Sequence, residues 1–370
     1  MLPQPIRQAH LQQPQRRSRR NNRIFVGLSG GVDSATAAAL LKRGGWDVTG
    51  VFIKIQIRGY PCPAARDRIE AMRVAAHLDI PFIEVDLSRE YEYHVFRPSI
   101  EEWKRGLTPN PDTLCNEKIK FGVFYDFCIS RGAEYVATGH YAQIRDGQLF
   151  VSADKNKDQS YFLWAVPETH LRKVMFPVGN LTKPEVRMLA GKFGLPNAAR
   201  HDSQGLCFLG DISIGDMLQR EMTVAPGDVL SETGEAIGRH DGAALYTLGQ
   251  RHGFSLFHAV SDAKPLYVIA KDIERNTITV SESKFPRDAA ATRVALHDAN
   301  WIGSVSQGSC KARYRYRQEL IDARIISMTD RGAEVELLEP HYMPLGQSLV
   351  LYQGERCLGG GNIKSATLEA

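Results

Sequence analysis

Length, composition and charge exclude several classes of protein. The 370 residues carry a formal charge of +4 and are 43% hydrophobic, which is enough apolar material for two or three domains with cores of their own. Residues 1–23 hold six arginines and no acid, and the remainder balances 40 basic against 42 acidic residues, so net charge alone cannot bind nucleic acid. No apolar run could span a membrane, and six scattered cysteines favour a cytoplasmic protein over a secreted, disulfide-bonded one.

The first 22 residues are expected to form a disordered basic arm. They are rich in Gln, Pro and Arg and show no hydrophobic periodicity. Three interpretations stay open: an extension without a function, a basic segment that helps to capture RNA, and an organelle transit peptide that lacks clear amphipathic spacing.

From residue 24 the pattern alternates between strand and helix. An apolar strand runs through a Ser-Gly-Gly turn into a helix that extends from residue 34 to about 42. Later segments predict strands at 48–53, 82–86 and 135–138, helices at 64–78, near 89–105 and at 116–131, a hairpin with arms at 142–144 and 149–152, and a helix capped by Thr182. This order predicts an α/β domain, a parallel sheet with helices on both faces and ligands at the carboxyl ends of its strands.

The pattern changes after about residue 215. Turn pairs such as Pro226-Gly227 separate short β-like runs, which predicts a small, β-rich central domain. A second β-rich region, with strands near 334–338 and 349–352 and a triple-glycine turn at 359–361, predicts a C-terminal β-barrel. The expected division is an arm at 1–22, an α/β domain at 23–214, a central domain at 215–288 and a barrel at 289–370.

The strongest chemical signal is the loop at residues 27–34. Its two central glycines precede a helix N-terminus, where free N–H groups and the helix dipole attract an anion. It is neither a Walker loop nor a dinucleotide fingerprint. A loop without lysine that ends on Asp33 and Ser34 suits pyrophosphate with Mg²⁺ as counter-ion, and it resembles the pyrophosphate-loop ATPases. An ordinary strand-to-helix turn is the alternative.

Two cysteine segments and one basic segment are further candidates. Cys115 follows Asp112 just before a helix that Asn116 could cap, so its thiolate would be stabilised by the dipole, although a structural turn with a buried thiol is equally open. The glycine in Gly205-Leu206-Cys207 indicates a loop thiol, although taken alone this segment favours no function. Cys128 continues an apolar helical stripe and is expected in the core, and Cys62, Cys310 and Cys357 receive no role.

The segment at 311–317 reads Lys-Ala-Arg-Tyr-Arg-Tyr-Arg. At strand periodicity its four cations share one face and could follow a nucleic-acid backbone, or they could protect an edge strand from aggregation. The polar loop at 155–159 is open to the same two interpretations, contact with RNA or with solvent.

Together these motifs resemble the tRNA-uridine 2-sulfurtransferase (2-thiouridylase, MnmA/TrmU) family from residue 23 almost to the C-terminus. The motifs that carry the resemblance are Ser-Gly-Gly-Val-Asp-Ser at 29–34, Asn-Pro-Asp-x-x-Cys-Asn at 110–116, Ala-Thr-Gly-His-Tyr at 137–141, Lys-Asp-Gln-Ser-Tyr-Phe at 157–162, Gly-x-Cys-Phe at 205–208, Tyr-Thr-x-Gly-Gln-Arg at 246–251, Arg-Tyr-Arg at 315–317 and Gly-Gln-Ser at 346–348. The chain departs from the family at Ile53, where methionine is usual, and in the less polar stretch at 56–66.

The resemblance implies an ATP site, a target-base site and a tRNA surface. The implied ATP contacts are Gly27, Leu28, Ser29, Gly30, Gly31, Val32, Asp33, Ser34, Ile53 and Gly139. Mg²⁺ is expected to accompany ATP, and Asp33 has two open roles, to hold Mg²⁺ or to orient the pyrophosphate. The implied base contacts are Asn110, Pro111 and Asp112. The implied tRNA contacts are His140, Lys157, Asp158, Gln159, Arg315, Tyr316 and Gln347.

The implied reaction is ATP-dependent 2-thiolation of the wobble uridine of tRNA. Cys207 would carry a persulfide, Cys115 would be the nucleophile and Asp112 the acid or base. The implied partners are the anticodon stem-loop of tRNA and a sulfur donor such as a cysteine desulfurase or a sulfur-relay protein, with the enzyme as a monomer. Two alternatives remain: another adenylating enzyme, such as a 4-thiouridine synthase or an amide-forming ligase, and a non-catalytic protein that binds ATP and tRNA.

Overall fold

A computed structural model describes residues 22–60, 64–201, 208, 214–222, 224–258, 264–283 and 290–368. The strands in the described residues form three β-sheets. Within these residues, no helix is long and apolar enough to cross a membrane. The predicted fold class is confirmed, since a parallel α/β sheet is followed by a small β-rich region and a closed barrel.

The first sheet is parallel, with its strands in the order β3-β2-β1-β4-β7. The five strands are β1 (Arg23–Gly27), β2 (Asp47–Lys54), β3 (Phe82–Asp86), β4 (Tyr135–Ala137) and β7 (Val174–Met175). Between β4 and β7 the chain forms a hairpin outside this sheet, with strands β5 (Gln143–Arg145) and β6 (Gln148–Phe150). The strand order reverses between β1 and β4, which is where sheets of this type bind ligands. The loops at 27–34 and 138–140 follow these two strands.

Helices cover both faces of this sheet. They are α1 (Val32–Arg43), α2 (Ala64–His77), α3 (Ser88–Tyr91), α4 (Arg97–Lys104), α5 (Pro111–Leu114), α6 (Phe124–Ser130), α7 (Glu168–Leu171) and α8 (Lys183–Lys192), with π-helical stretches at Glu92–Phe96 and Cys115–Val123 and a 3₁₀ turn at Ser160–Phe162. Alternate residues of β1 enter two different cores, Ile24 and Val26 on one face and Phe25 on the other. A strand buried on both faces needs the continuous apolar sequence found here.

The helical segment that contains Cys115 begins earlier than predicted and is kinked. It starts at Pro111 and passes through the π-helical stretch into α6. Gly122 leaves helical geometry, with φ −110° and ψ −106°, and a Cβ there would lie 2.8 Å from the carbonyl oxygen of Glu117. The neighbouring carbonyl of Phe121 lies 2.7 Å from Nδ1 of His170, which satisfies an acceptor at the kink.

The central sheet is mixed, with strands in the order β10-β9-β8-β12-β11. A helix α9 (Ile214–Glu221) precedes it, a 3₁₀ turn lies at Ala243–Leu245, and its strands are β8 (Gly227–Leu230), β9 (Ala236–His240), β10 (Phe254–Leu256), β11 (Tyr267–Asp272) and β12 (Thr277–Ser281). β12 pairs with β8 in parallel, while the other pairs are antiparallel.

The last six strands form an antiparallel barrel closed by the pairing of β13 with β18. They are β13 (Ala290–Trp301), β14 (Gly308–Arg313), β15 (Ile321–Thr329), β16 (Gly332–Tyr342), β17 (Ser348–Gln353) and β18 (Arg356–Thr367). Strand β6 of the hairpin pairs with β18, and Tyr352 of the barrel shares a core with Tyr161 and Leu163. The barrel is therefore fixed to the α/β region by both a sheet and a core.

The predicted turn at residues 359–361 is wrong, because these glycines lie inside β18. A Cβ on Gly359 would clash with the carbonyl oxygen of Asn300, and one on Gly360 with that of Leu349. The glycines therefore permit a close approach of neighbouring strands rather than a change of chain direction.

Candidate active site

The loop between β1 and α1 leaves helix amides available to an anion. Gly31 is the N-cap of α1 and has no side chain with which to cap it. The first N–H groups of a helix have no acceptor within the helix. Ser34 braces the loop, since its hydroxyl accepts the N–H of Ser29 at 3.2 Å and donates to the carbonyl of Gly31 at 3.1 Å.

The outer side of the loop is held by residues from two distant segments. The carbonyl of Gly30 accepts N–H groups from Asn197 at 2.8 Å and from Arg200 at 3.1 Å, and Arg200 is ion-paired with Asp67 of α2. Gly30 has a φ of +77°, and a Cβ there would lie 2.5 Å from the carbonyl oxygen of Asp67. A glycine is required at this position by both conformation and space.

Asp33 is held by two residues that the motif analysis did not connect to it. Lys183 Nζ donates to its two carboxylate oxygens at 2.7 and 2.8 Å, and the Tyr141 hydroxyl donates to Oδ1 at 2.8 Å. Lys183 is buried, with 9% of its surface exposed. A carboxylate occupied in this way does not fit a resident metal ion, and among the described residues no group of three or more His, Cys, Asp or Glu could hold one.

The loop after β4 packs directly against the start of α1. A Cβ on Gly139 would lie 2.6 Å from the backbone nitrogen of Ser34, so this glycine allows the two loops to meet. His140 is buried, and its Nδ1 lies 2.6 Å from Thr138 Oγ1. Burial, with a smaller contribution from Lys120, holds the pKa of His140 well below its usual value, so the ring is neutral. Among the predicted ATP contacts, Leu28, Val32 and Ile53 are also buried.

The segment that contains Asp112 and Cys115 is capped by Asn110, not by Asn116 as predicted. Asn110 Oδ1 accepts the N–H of Thr113 at 3.2 Å, and Pro111 occupies the first helical turn, so the cap precedes the two catalytic candidates. Cys115 is fully buried one turn into the helix, and Asn116 donates to the carbonyl of Phe162 at 3.2 Å. Asp112 Oδ1 is buried and has no hydrogen-bond partner among the described residues.

Cys207, the second predicted catalytic thiol, lies outside the described residues, as does Cys62. The next residue, Phe208, is described, and its ring lies 5.8 Å from Lys120 Nζ and 6.0 Å from the ring of Tyr91. Lys120 belongs to the same helical segment as Cys115. The residue that follows Cys207 is thus beside the helix that contains Cys115.

A buried tyrosine joins two of the predicted substrate contacts. The hydroxyl of Tyr161 lies 3.2 Å from Gln347 Oε1 and is also hydrogen-bonded to the side chain of Asn110. The backbone of Thr108 donates to the carbonyl of Leu345 at 3.2 Å, so the barrel also holds the loop that leads to Asn110. Tyr316, another predicted contact, packs against Phe162 with a ring separation of 4.7 Å.

The cations at 311–317 do not share one face, and this prediction is wrong. β14 ends at Arg313, and the chain then turns, with Arg317 at a φ of +62°. Lys311 pairs with Asp322 at 2.7 Å, Arg313 is buried against Asp158, and Arg315 donates to the carbonyl of Leu248 at 3.3 Å. Alternation applies only while the backbone is extended. Asp158 is therefore a buried ion-pair partner in this conformation, and contact between its side chain and tRNA would require that pair to open.

Family models match most of the chain. A tRNA methyl transferase HUP domain matches residues 22–211, a tRNA methyl transferase PRC-barrel domain residues 215–282, and an aminomethyltransferase beta-barrel domain residues 291–363. The tRNA-specific 2-thiouridylase MnmA of Shouchella clausii is 42% identical over 94% of this chain and 98% of its own length. The MnmA of Bacillus subtilis is 39% identical over 93% and 95%. The chain belongs to the MnmA family of tRNA-specific 2-thiouridylases.

Membership confirms the resemblance seen in the motifs and the class of enzyme, a tRNA sulfurtransferase. A solved 4-thiouridine synthetase–RNA complex with bound ATP is 17% identical, with a TM-score of 0.33 over 54% of this chain and 50% of that chain. In this MnmA-family chain, Cys128 lies in the core as predicted. Burial raises the pKa of Cys310 to about 11 and that of Cys357 to about 12, so both thiols are protonated at neutral pH.

The motif analysis missed four residues of this MnmA-family site: Tyr141, Lys183, Asn197 and Arg200. Tyr141 was quoted as part of a motif but received no role. Lys183 follows Thr182, which forms the predicted cap: the Thr182 N–H donates to Glu185 at 2.7 Å, which completes a capping box. The sequence signals only a helix start at Lys183, and its burial against Asp33 depends on where α8 packs.

Proposed function

We propose that this protein replaces oxygen 2 of the wobble uridine of tRNA with sulfur, using ATP and a cysteine persulfide. The observation that carries the proposal is that the helical segment containing Cys115 packs against the last residue of β1 and against the loop after β4, both of which border the phosphate loop. The Phe124 ring lies 3.6 Å from the Cβ position of Gly27, and the Phe121 ring lies 5.6 Å from that of His140. A base held near Asn110, Pro111 and Asp112 would therefore reach both the nucleotide and the thiol.

ATP would bind along the carboxyl edge of the sheet. The amides at 29–34 and the start of α1 would hold the phosphates, Lys183 would add positive charge, and Ile53 and Gly139 would contact the nucleoside. The uridine oxygen attacks the α-phosphorus and pyrophosphate leaves, which converts a poor leaving group into AMP.

Sulfur would arrive as a persulfide on Cys207, supplied by a cysteine desulfurase or a sulfur-relay protein. In one route the terminal sulfur attacks carbon 2, and Cys115 then attacks Cys207 Sγ, which breaks the sulfur–sulfur bond and leaves the terminal sulfur on the base. In the other route Cys115 first attacks Cys207 Sγ and releases hydrosulfide, which then attacks carbon 2. In both routes AMP departs and Asp112 acts as the general acid or base. A Cys115–Cys207 disulfide remains, which a cellular dithiol must reduce. We propose that a monomer performs these steps, with His140, Lys157, Asp158, Gln159, Arg315, Tyr316 and Gln347 as the tRNA-binding residues.

The deciding measurement is the mass of the wobble nucleoside after incubation of tRNA with the protein, ATP, Mg²⁺ and a cysteine desulfurase with cysteine as the persulfide donor. We expect the mass change for exchange of oxygen by sulfur, together with AMP and pyrophosphate. Omission of ATP is the control. Sulfur found at another nucleoside would favour a different thiolating enzyme, and binding of both ligands without AMP would favour the non-catalytic alternative.

A further inference from the structure

Residues 152–160, called here the connecting loop, contact both the barrel and the two partners of Asp33. On the barrel side, Arg313 Nη2 forms an ion pair with Asp158 Oδ2 and donates to Ser160 Oγ at 3.2 Å. Arg313 Nε also donates to the Tyr352 hydroxyl at 3.0 Å. Both charged groups are buried, with 7% and 4% of their surfaces exposed.

The shape of the connecting loop depends on the same carboxylate. Asp158 Oδ1 accepts the N–H groups of Ser152 at 3.1 Å and of Ser160 at 3.2 Å. A buried carboxylate that loses its cation becomes costly to keep in place. The loop conformation is therefore tied to the position of Arg313.

One arm of the loop leads to Asp33 through Tyr141. The Gln159 N–H donates to the Tyr141 carbonyl at 2.8 Å, and the Tyr141 N–H donates to Gln159 Oε1 at 2.9 Å. Tyr141, clamped in this way, donates its hydroxyl to Asp33 at 2.8 Å.

The other arm leads to Asp33 through Lys183. Asp154 Oδ2 accepts the backbone N–H of Lys183 at 2.9 Å, which fixes the start of α8. The Lys183 ammonium then holds both oxygens of Asp33. At the exposed tip of the loop, the carbonyl of Asn156 accepts Arg317 Nε at 3.1 Å, which gives the barrel a second contact with the loop.

We propose that Arg313 is a positioning residue that couples tRNA binding on the barrel to the ATP site. It acts through Asp158 on the connecting loop, and the loop positions Tyr141 and Lys183, the two residues that donate hydrogen bonds to Asp33. The coupling rests on the proposed function, because it requires tRNA on the barrel and ATP at the phosphate loop. Coupling of this kind is reciprocal and typically amounts to 5–150-fold in affinity.

The test compares the dissociation constant of α,β-methylene ATP with and without tRNA. This analogue lacks the cleavable bond, so the measurement does not depend on turnover. We expect tRNA to tighten binding of the analogue at least about fivefold in the wild type. In the double variant Arg313→Met, Asp158→Asn, which removes both buried charges, the factor should fall to about one when each protein is measured at a tRNA concentration that saturates it.

The matched control is Arg331→Met, Asp298→Asn, which removes an exposed barrel ion pair of 3.1 Å and should keep the wild-type factor. If the double variant does not fold, Arg313→Lys decides, because lysine keeps the charge but cannot bridge Asp158, Ser160 and Tyr352 together. In Arg313→Lys, the factor by which tRNA tightens binding of the analogue should lie between the values of the wild type and the double variant. A wild-type factor of one, or an unchanged factor in the Arg313 variants, overturns the coupling. A wild type that shows coupling but does not thiolate uridine overturns the proposed function instead.

Discussion

The ammonium group of Lys183 lies 2.7 and 2.8 Å from the two carboxylate oxygens of Asp33, although 150 positions separate the residues. The phosphate loop has no lysine of its own, and Lys183, the first residue of α8, lies beside the end of this loop. Lysine at a phosphate loop normally neutralises charge that moves to the leaving phosphate oxygens. Asp33 would then orient the lysine rather than hold a metal.

We expect Lys183→Met to lower tRNA-dependent pyrophosphate release by about 100-fold or more, as expected for loss of a group that stabilises developing charge. Asp33→Ala should have a similar effect, because it releases the lysine from its position. Lys183→Arg, which keeps the charge, should retain part of the activity, and tRNA affinity should be unchanged in all three. Wild-type pyrophosphate release by Lys183→Met would show that the lysine has only a structural role.

A substitution at Gly139 tests how closely the loop after β4 must approach the start of α1. In Gly139→Ala the new Cβ would lie 2.6 Å from the Ser34 nitrogen and 2.7 Å from the Asp33 carbonyl carbon, which are backbone atoms at the start of α1. The helix amides must move, so the affinity for ATP should fall at least about tenfold. Gly191→Ala is the control, since nothing lies within 4 Å of its Cβ position, and it should raise helix stability by about 0.5–1 kcal/mol. Equal ATP affinities in the two variants would contradict the prediction.

How much the sequence could predict depends on how local each signal is. The strand, glycine turn and helix at residues 23–43 follow from neighbouring residues, and the structure has them as β1 and α1. The pairing of Lys183 with Asp33 depends on where α8 packs, and its local sequence signals only a helix start. For the same reason the hairpin β5–β6 was predicted as a hairpin, while its addition to the barrel was not.

The incorrect predictions have a common physical origin. The cations at 311–317 were placed on one face by strand alternation, but β14 ends at Arg313 and the next residues turn. Three consecutive glycines suggested a turn at 359–361, whereas neighbouring strands approach too closely for side chains there. In both cases tertiary packing, which a local pattern does not contain, determined the conformation.

Arg315 remains the best candidate for a contact with the tRNA backbone. It is half-buried and donates to the Leu248 carbonyl, which places its charge between the barrel and the central region. Arg315→Ala should weaken all substrate tRNAs alike and reduce the slope of log affinity against log salt by roughly one unit. Arg331→Ala, which removes an exposed barrel cation elsewhere, is the comparison. An unchanged slope would remove Arg315 from the interface.

Lys271 makes stability depend on pH. Burial lowers its pKa from 10.5 to about 8. Between these values the unfolded chain binds more protons than the folded one, so the stability rises with pH through this window, and below pH 8 the full cost of the buried charge remains. Lys271→Met should therefore be more stable than the wild type at pH 7, by about 1–3 kcal/mol, and lose this advantage towards pH 10.5.

Urea unfolding of both proteins across this pH range measures the difference. Lys264→Met is the control, because Lys264 forms an exposed pair with Glu282 and should show no such trend. A difference between Lys271→Met and the wild type that does not vary with pH would show that packing, not titration, causes it.

Cys115 and Cys207 should form a disulfide when the enzyme, loaded with persulfide by a cysteine desulfurase, turns over once without reductant. Cys115 is fully buried, so its sulfur can meet another thiol only if the segments around it open or if Cys207 enters the same site. A disulfide requires the two Cα atoms within about 7 Å, and the contact between Phe208 and Lys120 already brings the residue after Cys207 beside the Cys115 helix. Peptide mass analysis of the quenched reaction identifies the crosslink.

The described thiols other than Cys115 are not expected to form this disulfide. Cys128, Cys310 and Cys357 are buried and their pKa values are raised by that burial, so at neutral pH they hold almost no thiolate, the form that attacks a persulfide. Cys115→Ser and Cys207→Ser should each abolish both the crosslink and thiolation, whereas Cys310→Ser should keep both. Because each route to 2-thiouridine ends in the same disulfide, a crosslink through any other cysteine, or normal thiolation by Cys115→Ser, would contradict the two-thiol mechanism itself and not merely the order of its steps.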